Sequence, residues 1–255
     1  MTDADFMAVK ANAEEYGWVD LDALAVWYER AFNRVKSDEP DEATRLFAEE
    51  IDPRFGTVLD ADALSLWGRL HKDRGDAARR DGRFTAAADE YEKAEEKYER
   101  SYRKHKDRFP GINVATLRLL RAACLVQAIT VARNDTQNLD EANARRALTA
   151  ELRVGSKQRA AEVLATRPWP KWLPDDDIWM AATAAEAFFL QEKWSEAEVH
   201  YRMALRPENK PLPHHADSMT AQLERLNEAF RALGTTVPPP LDKPREFLTS
   251  LFSKK

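Results

Sequence analysis

Gly75-Asp-Ala-Ala-Arg-Arg-Asp-Gly-Arg-Phe84-Thr-Ala-Ala87-Ala-Asp-Glu-Tyr91-Glu-Lys-Ala94 is the stretch that decides the fold of this 255-residue chain. Small residues stand at Gly75, Ala87 and Ala94, aromatic ones at Phe84 and Tyr91, and Asp81-Gly-Arg between them is turn-forming. That pattern describes two antiparallel helices whose backbones approach at the small residues, with the aromatic rings filling the space beside them. The same template recurs as Ala185, Trp194, Ala197, Tyr201 and Ala204, each 110 residues beyond its counterpart.

A helical hairpin with small and aromatic residues at these spacings is the unit of a tetratricopeptide-type array, which repeats about every 34 residues. An offset of 110 residues is no whole multiple of that period, so the helices between the two matches carry insertions. The chain is therefore read as all-α, an irregular tetratricopeptide-like helical-repeat array, or α-solenoid. Composition agrees: only 8 Gly, 33% charged and 44% apolar residues, without the β-branched runs and Gly-rich turns that strands need.

Outward from this stretch, residues 4 to 36 hold two apolar-periodic segments broken around Tyr16-Gly-Trp-Val-Asp20, the second placing Leu24, Trp27, Tyr28 and Ala31 at helical spacing. Ser37 or Asp38 is expected to cap the next helix, with Pro40 in its first turn. Asp60 opens a helix to about Arg80. Pro110-Gly111 is expected to stop the long charged helix before it, and a new helix to run from about Ile112 to Val131. Arg133 to Asn138 reads as a turn, Leu139 to Thr166 as a helix interrupted near Gly155, and Arg167-Pro-Trp-Pro-Lys-Trp-Leu-Pro174 as a loop ending in the capping run Asp175-Asp-Asp177. Pro207 to Pro213 is a linker, and Met219 to Leu233 a last amphipathic helix that Gly234 ends. Three regions follow: 1–58, N-terminal helices with a degraded repeat; 59–234, the repeat domain; and 235–255, a Pro-rich tail whose Phe247, Leu248, Leu251 and Phe252 form a short apolar face.

The net charge of −5 argues against nucleic acid as a partner. One cysteine, Cys124, allows no internal disulfide, which points to a reducing compartment. The N-terminus lacks a basic start followed by an apolar run, and no window is read as reaching the roughly 18 apolar residues of a membrane span. A cytoplasmic protein without membrane contact is expected. For catalysis the sequence offers little. His214-His215 have no acidic or cysteine partner at metal spacing, Val154-Gly-Ser-Lys157 lacks the upstream glycine of a phosphate loop, and no nucleophile elbow or dinucleotide pattern occurs. No cofactor, metal or catalytic residue is assigned, and an enzyme hydrolysing a nucleotide ranks third among the readings.

Phe109-Pro-Gly-Ile-Asn-Val-Ala-Thr-Leu117 within Tyr98 to Leu120, then Trp179-Met-Ala-Ala-Thr-Ala-Ala-Glu-Ala187 and Glu196-Ala-Glu-Val-His-Tyr201, together resemble the TRAFs-binding, or TPR-S, module over about residues 60 to 230. This divergent tetratricopeptide module is found in apoptosis signal-regulating kinases and in bacterial signalling proteins. The resemblance implies a non-catalytic regulatory or sensory module recognising a small nucleotide-derived signal or a partner, in stress or anti-phage signalling. No kinase, TIR or nuclease segment is recognised beside it, so the effector is expected to be a separate protein.

In such arrays the first helix of each hairpin lines the groove. On the last match that face carries Trp179, Ala182, Glu186 and Phe189; on the first, Arg69, Lys72, Asp76 and Arg79; on the middle helix, Asn113, Thr116, Leu120 and Gln127. A base stacked on Trp179, polar contacts from Asn113, Thr116 and Glu186, and phosphates near Arg69, Lys72 or Arg79 make the ligand reading. Asn113 and Glu186 are expected to face one groove. Packing is the commoner account of Trp179 and Phe189, helix capping explains Asn113 and Thr116, and a solvated face explains the cations. Glu186 resists the bland account, because a carboxylate on an apolar face needs a partner if buried. Arg100 to Arg108 holds five cations and a His. The negative end of a helix accounts for them, with Arg108 the exception that can serve the groove. Trp169, Lys171 and Trp172 suit either a lid or a staple. The alternative function is a scaffold gripping a peptide or helix in the groove, with the 247–252 face as a docking segment. Oligomeric state and the identity of any ligand are left open by the sequence.

Overall fold

A computed structural model describes residues 21–36, 39–56, 59–132, 139–166 and 176–252, and over these the chain is helical without a strand. The expected break at residues 16–20, the Ser37 or Asp38 cap, the 133–138 turn, the Trp169, Lys171 and Trp172 loop and the Asp175 cap lie outside them. The helices are α1 (Leu21–Lys36), α2 (Pro40–Leu46), a π-helical turn (Phe47–Ile51), α3 (Asp52–Phe55), α4 (Ala61–Arg80), α5 (Phe84–His105), α6 (Arg108–Ala132), α7 (Leu139–Ala165), α8 (Asp176–Leu190), α9 (Trp194–Ala204), a 3-10 turn (Pro207–Asn209), α10 (Pro213–Ala232) and α11 (Pro244–Phe252).

Three successive hairpins, α4/α5, α6/α7 and α8/α9, form the array. In the first, the Asp60 carboxylate accepts a 2.8 Å hydrogen bond from the Ala63 N–H and caps α4. Gly75 shows why the small residue is required: a Cβ there would stand 2.6 Å from the buried Tyr91 ring. Gly82 turns the chain with φ +74. Its counterpart 110 residues on, Glu192, adopts φ 61 in the same turn and accepts the strain. Its carboxylate pairs with Lys157 at 2.8 Å and tethers the turn to α7.

The insertion that breaks the period is the middle hairpin, whose helices have 25 and 27 residues. Two boundaries differ from the sequence reading. Helix α5 ends at His105, five residues before Pro110, with Lys106 in the left-handed conformation (φ 57). Pro110 then sits inside the first turn of α6, where its missing N–H costs nothing. Gly111 serves packing: an added Cβ would lie 2.7 Å from Val163 and 2.8 Å from Tyr102. Likewise α7 runs unbroken through Gly155, whose carbonyl accepts from Arg118 at 3.2 Å.

Helix α6 is apolar on every side because every side is covered: α5, α7, α4, α8 and α10 all pack on it. An 18-residue window of α6 reaches a mean hydropathy of 1.6, so by length and composition it matches a membrane span, contrary to the expectation above; 72% of that window is buried within the protein. A second cluster, in which Phe47 stacks on Trp67 at 5.5 Å, joins α1, α2 and the π-helical turn to the first half of α4. After α9 the array does not simply continue. Helix α10 is set mainly against α6, two hairpins back, and much less against α8. Helix α11 covers α10, with Phe247 and Leu248 buried in the main core and the Asn227 side-chain amide donating to the Leu241 carbonyl at 2.7 Å.

Candidate ligand groove

Helices α4, α6 and α8, the first of each hairpin, lie side by side, and α10 runs along the surface they share. Its direction follows from the paired residues. Trp179 meets His215 and Glu186 meets Gln222, each partner seven residues further along; Asp76 meets Arg225 and Arg79 meets Glu228, each three further along. Both sets advance together, so α10 is parallel to α4 and α8. Met219, Leu223, Leu226 and Phe230 supply its buried apolar stripe, Phe230 meeting Phe189 and Trp194 edge to face at 5.5 and 5.4 Å.

The polar groups of the groove form one cluster. Glu186 accepts from the Thr116 hydroxyl and, at 2.6 Å, from the Gln222 amide. Arg225 reaches from Gln222 to Asp76, pairing with its carboxylate at 2.9 Å, while the Tyr91 hydroxyl donates to the other Asp76 oxygen at 2.6 Å. Arg79 closes the row on Glu228. Burial pushes the Glu186 carboxyl above its ordinary range, opposed by the bonds from Thr116 and Gln222 and the charges of Lys72 and Arg225. Burial also lowers the Lys72 ammonium, helped by nearby Arg225 and opposed by Asp73, Asp76 and Glu186. Lys72 forms no ion pair or hydrogen bond with any described residue. The phenol of Tyr201, on α9, is raised by burial and then by the charge of Glu186, which places it in the same field.

The eight nominated residues divide accordingly. Thr116 and Glu186 are bonded across α6 and α8, Lys72 stands in their field, and Arg79 reaches α10. Trp179 lies two turns from Glu186 on α8, 38% exposed, its ring edge-on to His215 at 5.1 Å. It is Thr116 that meets Glu186; Asn113, a turn earlier, spends its amide N–H on the Phe109 carbonyl at 2.9 Å. Arg108 donates to the Thr166 carbonyl at 2.5 Å, which ties the start of α6 to the end of α7. Arg69 is exposed and faces Asp73 on its own helix at 3.6 Å. Gln222, Arg225 and Glu228 were not foreseen. Their signal was present as three polar residues at spacings of three, beside the apolar stripe of the last helix. Cys124 lies in the core with its thiol pushed up to about 12 by burial, which suits an inert thiol.

Hairpins with Gly75 against Tyr91, stacked so that their first helices share one polar-lined surface, define a tetratricopeptide-type helical-repeat protein. The family model for TPR-S, Tetratricopeptide Repeats-Sensor, matches residues 8–118, so over that stretch the chain is similar to the TPR-S family. The match begins in the N-terminal segment and ends within α6, whereas the resemblance read from sequence starts near residue 60 and continues to about 230. No curated protein matches the chain.

Proposed function

We propose that this chain is a non-catalytic sensor module whose groove takes a small nucleotide-derived ligand and relays its presence to a partner protein in a signalling pathway such as stress or anti-phage defence. Lys72 is the observation that carries this reading. A cation set among Glu186, Asp76 and Arg225, yet bonded to none of the described residues, keeps a donor available for an anionic ligand. Trp179, two turns along α8, offers a partly exposed aromatic face for a base, and Glu186 with Gln222 offers polar selection between them. The similarity of residues 8–118 to a sensor family supports this assignment of roles. The test is calorimetric titration of the full chain with NAD-derived, linear and cyclic nucleotides. Saturable binding that is lost in Lys72→Ala and weakened in Trp179→Ala is expected. No binding by any nucleotide, or unchanged affinity in both variants, sinks the reading.

One observation favours the scaffold alternative. The groove holds a helix, α10, so its shape and polar lining suit helical occupants. A scaffold retains its partner in the absence of any small molecule, and pull-down from nucleotide-depleted extract separates the two readings.

A further inference from the structure

The surface made by α4, α6 and α8 carries a spaced polar row beside an apolar strip, and α10 answers it position by position. Gln222 meets Glu186 and Thr116, Arg225 meets Asp76, and Glu228 meets Arg79. Met219, Leu223, Leu226 and Phe230 fill the strip. A surface that asks for an amide, a guanidinium and a carboxylate at successive turns specifies both the direction and the register of a helix, because a shift of one turn one way sets Glu228 against Asp76 and one turn the other way sets Arg225 against Arg79. Helix α10 reaches this place by folding back through residues 205–212 rather than by extending the array.

From this we infer that the groove is a receptor for a partner helix presenting amide, guanidinium and carboxylate side chains at i, i+3 and i+6 beside an apolar stripe, and that α10 is the resident competitor which such a helix displaces. The proposal rests on the helix-binding reading of the groove and is independent of the nucleotide reading. Residency sets the affinity: a partner binds only to the fraction of molecules in which α10 has left, so its apparent affinity is reduced by that fraction. Locking α10 in place abolishes binding, and weakening its row raises it.

The test uses the full chain and a fluorescein-labelled peptide copying residues 212–234, followed by fluorescence polarisation. Arg79→Cys and Glu228→Cys are introduced together and bridged by a short bismaleimide, while the buried Cys124 stays unreacted. The unbridged chain is expected to bind the peptide at least about tenfold more tightly than the bridged one. A peptide with alanine at the positions of Gln222, Arg225 and Glu228 is expected to lose about tenfold or more. Equal binding by bridged and unbridged chains, equal binding by the two peptides, or no binding at all overturns the proposal. So does exchange of α10 only with that of a second copy, seen as a dimer by light scattering from which the peptide is excluded. The unmodified chain gives a readout that no substitution can spoil: amides of residues 219–230 are expected to exchange about 100-fold faster than those of residues 112–125. Equal protection of the two helices refutes displacement. Because no nucleotide enters these measurements, their failure leaves the sensor reading standing, and the reverse holds.

Discussion

Replacing Arg225 by methionine tests the polar cluster most directly. Arg225 supplies the counter-charge to Asp76, whose side chain is 6% exposed, and the pair is 2.9 Å apart. Without it, the carboxylate keeps, among the described residues, the hydrogen bond from the Tyr91 hydroxyl at 2.6 Å. Breaking a buried pair by removing one member costs about 3–5 kcal/mol, because a charge is left buried and uncompensated. The Arg225 side chain is 20% exposed, so water relieves part of this and the low end, about 3 kcal/mol, is expected. For a chain of this size that lowers the melting temperature by about 6–12 °C, measured by circular dichroism at 222 nm. Asp76→Asn combined with Arg225→Met removes the charge together with its partner and keeps an acceptor for Tyr91. The double variant should therefore recover a substantial share, a coupling of about 1–3 kcal/mol in the cycle. As a control, Arg45→Met breaks the exposed pair with Glu42, whose side chains are 46% and 37% exposed, and should cost no more than about 0.5 kcal/mol. Additive effects in the cycle, or a cost for Arg225→Met no larger than the control, would refute the claim that this pair pins α10 to α4.

Three further outcomes are expected. Gly75→Ala gains about 1 kcal/mol of helix propensity but drives a methyl to 2.6 Å from the Tyr91 ring, and overpacking of about 1–3 kcal/mol leaves a net loss in urea denaturation. Gly82→Ala meets nothing within 4 Å, so its cost is the backbone term alone, about 1–2 kcal/mol; a neutral result would mean the turn relaxes away from φ +74. Glu186→Gln mimics the protonated acid that burial favours, with Lys72 on α4, Arg225 on α10 and Tyr201 on α9 as its titratable neighbours. Because the folded carboxyl titrates above the unfolded one, the wild type is relatively most stable below about pH 4.5 and loses that contribution as pH rises through the raised value. The variant escapes that loss, so its stability relative to wild type should climb over the same interval, followed by thermal melts from pH 4 to 8. A constant difference across the range contradicts the assignment.

The hairpins were legible because their determinants are local: Gly75 and Tyr91 are a fixed distance apart in sequence, and Asp60 caps its own helix. The boundary at Pro110 misled because proline stops a helix only in its interior, and it is silent on which side of it the next helix begins. The demand of Glu186 for partners was equally legible, and Thr116 lay in the expected stripe. What the sequence withheld was the identity of the other partners, since Gln222 and Arg225 sit on a helix whose periodicity shows that it has an apolar face and not what that face covers. The 247–252 tail is the same case: its apolar stripe was visible, while the burial of Phe247 and Leu248 against the chain itself was not.

The bond from Arg79 to Glu228 spans 149 residues. An open array of hairpins frays from its ends, each unit adding a nearest-neighbour increment, so damage at one end leaves the other folded. A helix that leaves the third hairpin and grips the first turns that row into a belted ring. While α10 is seated the hairpins should then resist fraying from either end; once it is displaced they revert to an open array, and folding of the belted form should wait on a late, long loop closure. The belt that fills the groove is thus also what couples the hairpins to one another for as long as it is seated.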